Sequence, residues 1–222
     1  MPESLILDAE AVLWSAERND LKGHDLLVVL HGYGSDEHDL FALRTYFPQD
    51  LVVAALAAPL TPPWPAPGRS WYPIEGLDTR DAAGITAAAE AVLAWLDEHA
   101  QGAASIGLLG FSQGAAVSLQ SLRLAPQRID YVVNLSGYVT PGALPNDEEL
   151  AELKPPVFWG RGSHDEVIPA ALVLHTTQWL PERVELSGRV YQDMAHSVSE
   201  AELADLRVFI DKQRERLAER NS

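Results

Sequence analysis

Short runs of apolar residues alternate along the chain with longer stretches in which apolar positions recur at helical spacing. The short runs are residues 26–30 (LLVVL), 51–57 (LVVAALA), 105–109 (SIGLL), 131–135 (YVVNL), 157–159 (VFW) and 189–191 (RVY). A run that is apolar at successive positions has no polar face to turn to solvent. It suits a strand covered on both sides, as in a parallel sheet flanked by helices. Between the runs, residues 81–99 (DAAGITAAAEAVLAWLDEH) and 113–124 carry the helical pattern. Ser199 and Glu202 fit a capping box before a C-terminal helix, LADLRVFIDKQRERLAE. The alternation predicts an α/β three-layer sandwich with a mostly parallel central sheet. The stretch SLILDAEAVLWSAE predicts an antiparallel hairpin at the sheet edge.

One segment breaks the alternation. Residues 58–78, APLTPPWPAPGRSWYPIEGLD, hold six of the 15 prolines and two of the six tryptophans. Proline at this density blocks helix and central strand alike. A long loop with large aromatics reads as a wall or cover of a site. No change of composition marks a domain boundary and no long cap insertion is present, so residues 1–222 are expected to form one domain.

Composition narrows the function classes. The chain is 47% hydrophobic, enough for a large core in 222 residues. A net charge of −16 and a pI of about 4.7 repel phosphate backbones and anionic membranes, so no nucleic acid and no membrane insertion are expected. There is no cysteine, which excludes disulfides, thiolate catalysis and cysteine-ligated metals. The start of the chain lacks the pattern of a signal peptide, and no apolar run reaches membrane-spanning length, so the expected location is cytoplasmic. Exposed aromatics leave room for a homodimer.

The chemistry begins at Gly110-Phe111-Ser112-Gln113-Gly114, a G-x-S-x-G placed directly after a strand and before a helix. That setting is the mark of a nucleophile elbow. So sharp a turn strains the serine backbone and crowds the residues two before and two after it, where glycine removes the Cβ clashes. The hydroxyl then stands at a helix N-terminus, where outward N–H groups favour developing negative charge. In other settings glycine and serine simply build a βα loop.

A serine hydroxyl needs a base, and the base an orienting acid. In elbow proteins these follow in the order Ser, acid, His, on loops after later strands. The run 157–159 leads into GRGSHDEVIP, which offers Asp165 and Glu166. Asp165, nearer the strand end, is preferred. The run 189–191 leads into QDMAHSVSE, which offers His196. Asp193 is a further acid, too close in sequence to approach the His196 ring from the far side. His175 lies within a helical pattern and is assigned to a helix surface.

A second oxyanion donor is expected from the loop after LLVVL, which reads His31-Gly32-Tyr33-Gly34-Ser35. The predicted pair is the backbone amides of Tyr33 and Gln113. His31 is read as a structural, hydrogen-bonded histidine. Asp36, Glu37, His38 and Asp39 are read as a solvated helix start, because adjacent helical residues point in different directions.

These motifs together resemble the carboxylesterase/phospholipase family of α/β-hydrolases, the group that includes acyl-protein thioesterases. The resemblance rests on LHGYGSDEHDL, SWYPIEG, GFSQGAAVSL, GRGSHDEVIP and MAHSVS, in the family's order between Leu30 and Ser199. It implies an α/β-hydrolase fold, Ser112 as nucleophile, Asp165 as orienting acid, His196 as base, and the Tyr33 and Gln113 amides as oxyanion donors. It implies hydrolysis of carboxylic esters through an acyl-serine, with no cofactor and no metal. Members usually carry a compact aliphatic residue at the Tyr33 position and often an acid at the Pro73 position, departures that bear on substrate choice.

The expected substrate is a short-chain or soluble acyl ester. Phe111, Trp64, Trp71 and Trp159 are candidates to line its pocket, core packing being the alternative for each. Rival readings are a thioesterase, lysophospholipase or peptidase with the same triad, or a non-catalytic binding protein of this fold. A histidine base predicts activity rising with pH through about 6.5.

Overall fold

The computed structural model describes residues 5–17, 21–74 and 80–220. Part of the SWYPIEG motif, residues 75 and 76, lies outside them, as do positions 77 and 78 of the proline-rich segment. Among the described residues a seven-stranded sheet runs in the order β1-β3-β2-β4-β5-β6-β7. Its strands are β1 (Val12–Trp14), β2 (Asp25–Leu30), β3 (Val52–Leu56), β4 (Ser105–Phe111), β5 (Tyr131–Leu135), β6 (Pro156–Gly162) and β7 (Glu185–Tyr191). All neighbours pair parallel except β1, which runs antiparallel to β3. The predicted N-terminal hairpin is therefore corrected. β1 takes its partner from β3, about 40 residues later in the chain, with Leu13 opposite Ala55.

The helices are α1 (Glu37–Phe41, continued by a 3-10 turn over Ala42–Tyr46), α2 (Ala82–His99), α3 (Gln113–Leu124), α4 (Asp147–Leu153), α5 (Ala170–Arg183) and α6 (Glu200–Arg220). They cover both sheet faces, and the strand sequences show why. In β2, Leu26, Val28 and Leu30 enter one core with α2 and α3, while Leu27 and Val29 enter a second with α1 and α6. β3 divides in the same way, Val52, Ala54 and Leu56 against Val53 and Ala55. Side chains alternate across a strand, so only an all-apolar run can feed two cores. This is the three-layer α/β-hydrolase arrangement. No helix among the described residues is long and apolar enough to cross a membrane.

β6 and β7 extend beyond the apolar runs that mark them. β6 continues through Gly160, Arg161 and Gly162, and close neighbours forbid a side chain at the two glycines: a Cβ on Gly160 would lie 2.0 Å from Glu202 Oε1, and one on Gly162 would lie 1.9 Å from the Met194 carbonyl oxygen. β7 is an edge strand with exposed and half-buried positions throughout, so its sequence is polar.

Candidate active site

The C-terminal ends of β4, β6 and β7 deliver three side chains to one place. Ser112 sits between β4 and α3 with φ 54° and ψ −112°, a conformation L-residues rarely adopt. The flanking glycines make the turn possible. A Cβ on Gly110 would fall 2.3 Å from the Gly114 carbonyl carbon, and one on Gly114 only 2.1 Å from the Leu30 carbonyl oxygen. The Ser112 amide donates to the Leu135 carbonyl at 2.9 Å, fixing the corner to β5.

His196 lies on the loop between β7 and α6. Its Nε2 is 2.9 Å from Ser112 Oγ, and its Nδ1 is 2.8 Å from Asp165 Oδ2. The other carboxyl oxygen of Asp165 accepts the amides of Val167 at 3.0 Å and Ile168 at 3.2 Å, which locks the acid's orientation. Burial pushes the Asp165 carboxyl up. The His196 ring beside it and the two amides outweigh that push and hold it below the usual carboxylate range. Glu166 is exposed, and Asp193 is exposed with its carboxyl 3.6 Å from the His164 ring. Of the acids considered, Asp165 is the one brought to His196.

The Asp165 and His196 loops are tied to each other. His164 N–H donates to the Met194 carbonyl at 3.0 Å, Ser163 N–H to Tyr191 at 2.9 Å, and Asp193 N–H to Ser163 Oγ at 2.9 Å. Gly162 allows this, since any side chain there would displace Met194.

The His31–Ser35 loop runs against the start of α3. A Cβ on Gly114 would meet the carbonyl oxygens of both Leu30 and His31, and one on Gly32 would touch the Phe111 ring at 3.0 Å. Neither the Tyr33 nor the Gln113 amide meets an acceptor among the described residues. Tyr33 is 36% exposed. N–H groups left without an acceptor near a half-buried elbow are what an oxyanion would need.

The comparisons with known proteins identify the family. Residues 14–214 match the phospholipase/carboxylesterase family. The chain belongs to that family. Over 107 residues, 46% of this chain and 47% of the relative, it is 38% identical to acyl-protein thioesterase 1 of Saccharomyces cerevisiae. Over 191 residues, 82% of this chain and 78% of the relative, it is 27% identical to esterase YpfH of Escherichia coli K12. The chain spans about half the length of several acyl-protein thioesterases it matches. The crystal structure of esterase PE8 superposes with a TM-score of 0.73 at 26% identity, covering 94% of this chain and 99% of that one.

Two supporting features of this family member escaped the sequence reading. The Gln113 side chain clamps the proline-rich loop to the elbow: its Oε1 accepts the Trp71 amide at 2.9 Å and the Ser70 hydroxyl at 3.3 Å, and its Nε2 donates to the Tyr72 carbonyl at 2.7 Å. The signal was present as an amide side chain within the elbow, but its partners lie more than 40 residues away. The second feature is the Tyr72–Tyr138 hydroxyl contact at 2.6 Å, where burial pushes both phenols up.

His31 has the structural role expected. Its Nε2 accepts the Ala58 amide at 3.1 Å, so Nδ1 carries the proton and donates to the Gly32 carbonyl at 2.7 Å. Burial lowers its pKa, keeping the ring neutral. Asp36 caps α1 by accepting the His38 amide at 2.9 Å, and it and His38 face solvent.

The four pocket candidates separate. The Phe111 ring lies 4.9 Å from the His196 ring, at the site. Trp64 is 92% exposed on the proline-rich loop. Trp71 and Trp159 are corrected to core residues. Trp71 has no exposed surface, and its indole donates to the His31 carbonyl at 2.8 Å. Trp159 is 6% exposed, its indole bonded to the Gly137 carbonyl at 3.1 Å. A cleft of about 590 Å³ lies at the opposite, N-terminal end of β3, lined by His24, Arg44 and Asp50, and contains none of the site residues.

Proposed function

We propose that the protein is a serine hydrolase that cleaves carboxylic esters through an acyl-serine intermediate. The observation that carries this reading is the continuous series Asp165–His196–Ser112, with separations of 2.8 and 2.9 Å. Ser112 Oγ attacks the ester carbonyl as His196 Nε2 takes its proton. Asp165 holds the Nδ1–H and stabilises the imidazolium that forms. The amides of Tyr33 and Gln113 hold the oxyanion, each worth on the order of 3 kcal/mol in the barrier. His196 then returns the proton to the departing alkoxide, the acyl group remaining on Ser112. A water deprotonated by the same histidine attacks the acyl-enzyme and releases the acid.

Phe111, beside the His196 ring, and Tyr33, at the rim, are the side chains we assign to substrate contact. Among the described residues no cap domain covers the site, which supports short-chain or soluble esters, and a cytoplasmic location is part of this proposal. A thioester reading is the second one, supported by the acyl-protein thioesterases among the relatives. The same atoms would serve, with a thiolate leaving in place of an alkoxide. The test is a panel of nitrophenyl esters of increasing chain length, with matched thioesters, against wild type and Ser112→Ala. Hydrolysis by wild type and its loss in the variant are expected; equal rates in both would overturn the proposal. A kcat/KM higher for thioesters than for oxyesters of the same acyl group would favour the second reading.

A further inference from the structure

Glu202 is fully buried in the first turn of α6, and neither of its carboxyl oxygens has a hydrogen-bond partner among the described residues. It sits against the backbone of β6, where a methyl group on Gly160 would come within 2.0 Å of Oε1. β6 runs directly into the Asp165 loop. α6 is entered from the His196 loop through Ser199, whose Oγ accepts the Glu202 amide at 3.2 Å. By contact, then, this side chain separates the two segments that hold Asp165 and His196 2.8 Å apart.

We propose that Glu202 is a positioning residue for the site, its buried side chain setting the spacing between the Asp165 and His196 loops. The inference rests on reading His196 as the base that serves Ser112.

A carboxylate stripped of water and of partners is costly, so a group at this depth keeps its proton. Burial is the main cause. The Ser199 backbone amide, though it makes no full hydrogen bond to the carboxyl, pulls the other way, the Asp205 charge one turn along α6 adds a smaller upward push, and the carboxyl is pushed up to about 7. The surrounding charged groups offer no relief. On β7, Arg189 lies 3.6 Å from Asp205, and the Tyr191 hydroxyl donates to Asp205 at 2.9 Å. On β6, Arg161 lies over the Trp159 ring, on the sheet face opposite Glu202. On the intervening loop, Asp193 faces His164, and His196 is held by Asp165.

The neutral acid is a compact wedge between Gly160 and α6. Once ionised it must draw in water or move off the β6 backbone, and the first turn of α6 carries the His196 loop with it. Activity is therefore expected to decline as pH passes about 7, beyond the rise that a histidine base produces.

The experiment is the pH profile of kcat/KM for a nitrophenyl ester, in wild type, Glu202→Gln and Glu202→Leu, each checked for folding by thermal melting. Neither replacement can ionise. The variant-to-wild-type activity ratio is expected to grow about tenfold or more between roughly pH 7 and 9. A ratio independent of pH in a folded variant overturns the proposal, because a merely structural role would lower activity uniformly. Hydrogen exchange of the unmutated protein covers the case in which neither variant folds: protection of residues 195–203, corrected for intrinsic rate, is expected to fall above pH 7, and unchanged protection overturns it. A wild type lacking esterase activity altogether would mark a failure of the underlying reading instead.

Discussion

The side chain of Gln113 is bonded to Tyr72, 41 residues earlier in the chain, through an Nε2–H donated to the Tyr72 carbonyl at 2.7 Å. The residue beside the candidate nucleophile thus carries two tasks. Its backbone N–H, which meets no acceptor among the described residues, is the oxyanion donor we propose, and its side chain holds down the proline-rich loop.

Gln113→Ala separates the two. It leaves the buried Trp71 N–H without a partner and the Tyr72 carbonyl with only the Ser70 hydroxyl, at 2.7 Å. An orphaned buried donor costs roughly 1–3 kcal/mol, so the variant is expected to lose about 2 kcal/mol of stability in a denaturant melt. The backbone donor survives. Activity is expected to fall by at most about 100-fold, through displacement of the site rather than loss of a reacting group. A loss as deep as that of Ser112→Ala would contradict this division of roles.

Gly162→Ala tests the stitch between the loops. The new methyl would lie 1.9 Å from the Met194 carbonyl oxygen and must push the His196 loop away from Asp165. A displacement of about 1 Å at the reacting groups costs on the order of 100-fold. The expected result is a fall in kcat of that size with the far-ultraviolet circular dichroism preserved.

For Asp165, burial raises the carboxyl and the His196 ring with the Ile168 and Val167 amides lowers it further, so the folded group ionises below its ordinary 3.8. A depressed carboxylate stabilises the fold above the unfolded value, and that stability is lost as pH falls through the folded one. Denaturant melts of wild type are expected to weaken below about pH 4, and those of Asp165→Asn to weaken less. The same variant should lose on the order of 10⁴-fold in kcat, because the imidazole is left in the wrong tautomer.

Glu202 has the opposite sign. Its folded value, about 7, lies above the ordinary 4.5, so its share of stability is full below 4.5 and is lost as pH rises to about 7. Glu202→Gln carries no such dependence. The stability difference between variant and wild type is expected to shift in the variant's favour by about 3 kcal/mol from pH 4 to pH 7. Paired urea melts at the two pH values measure it; a difference that does not change with pH would contradict the burial argument.

What could be read from the sequence follows from how local each signal is. β2 to β5 are continuous apolar runs because they feed two cores, and Ser112, Asp165 and His196 sit at the ends of β4, β6 and β7 in a fixed order. Half of the predicted Ser199–Glu202 capping box is realised: Ser199 Oγ accepts the Glu202 amide, but the Glu202 carboxyl makes no hydrogen bond back. The lengths of β6 and β7 were not, since Gly160 and Gly162 answer to Glu202 and Met194, which arrive from later in the chain. Trp71 and Trp159 look like pocket residues by type, and only the position of the His31 and Gly137 carbonyls makes them core. The isolation of Glu202 is likewise a property of what surrounds it in space.

The most direct test of the central claim is mass-spectrometric mapping of a fluorophosphonate adduct on the folded protein. One adduct per chain, on Ser112, forming quickly in wild type and very slowly in His196→Ala, is the predicted result. Folded wild-type protein that takes up no probe, or takes it up at another residue, would contradict the account.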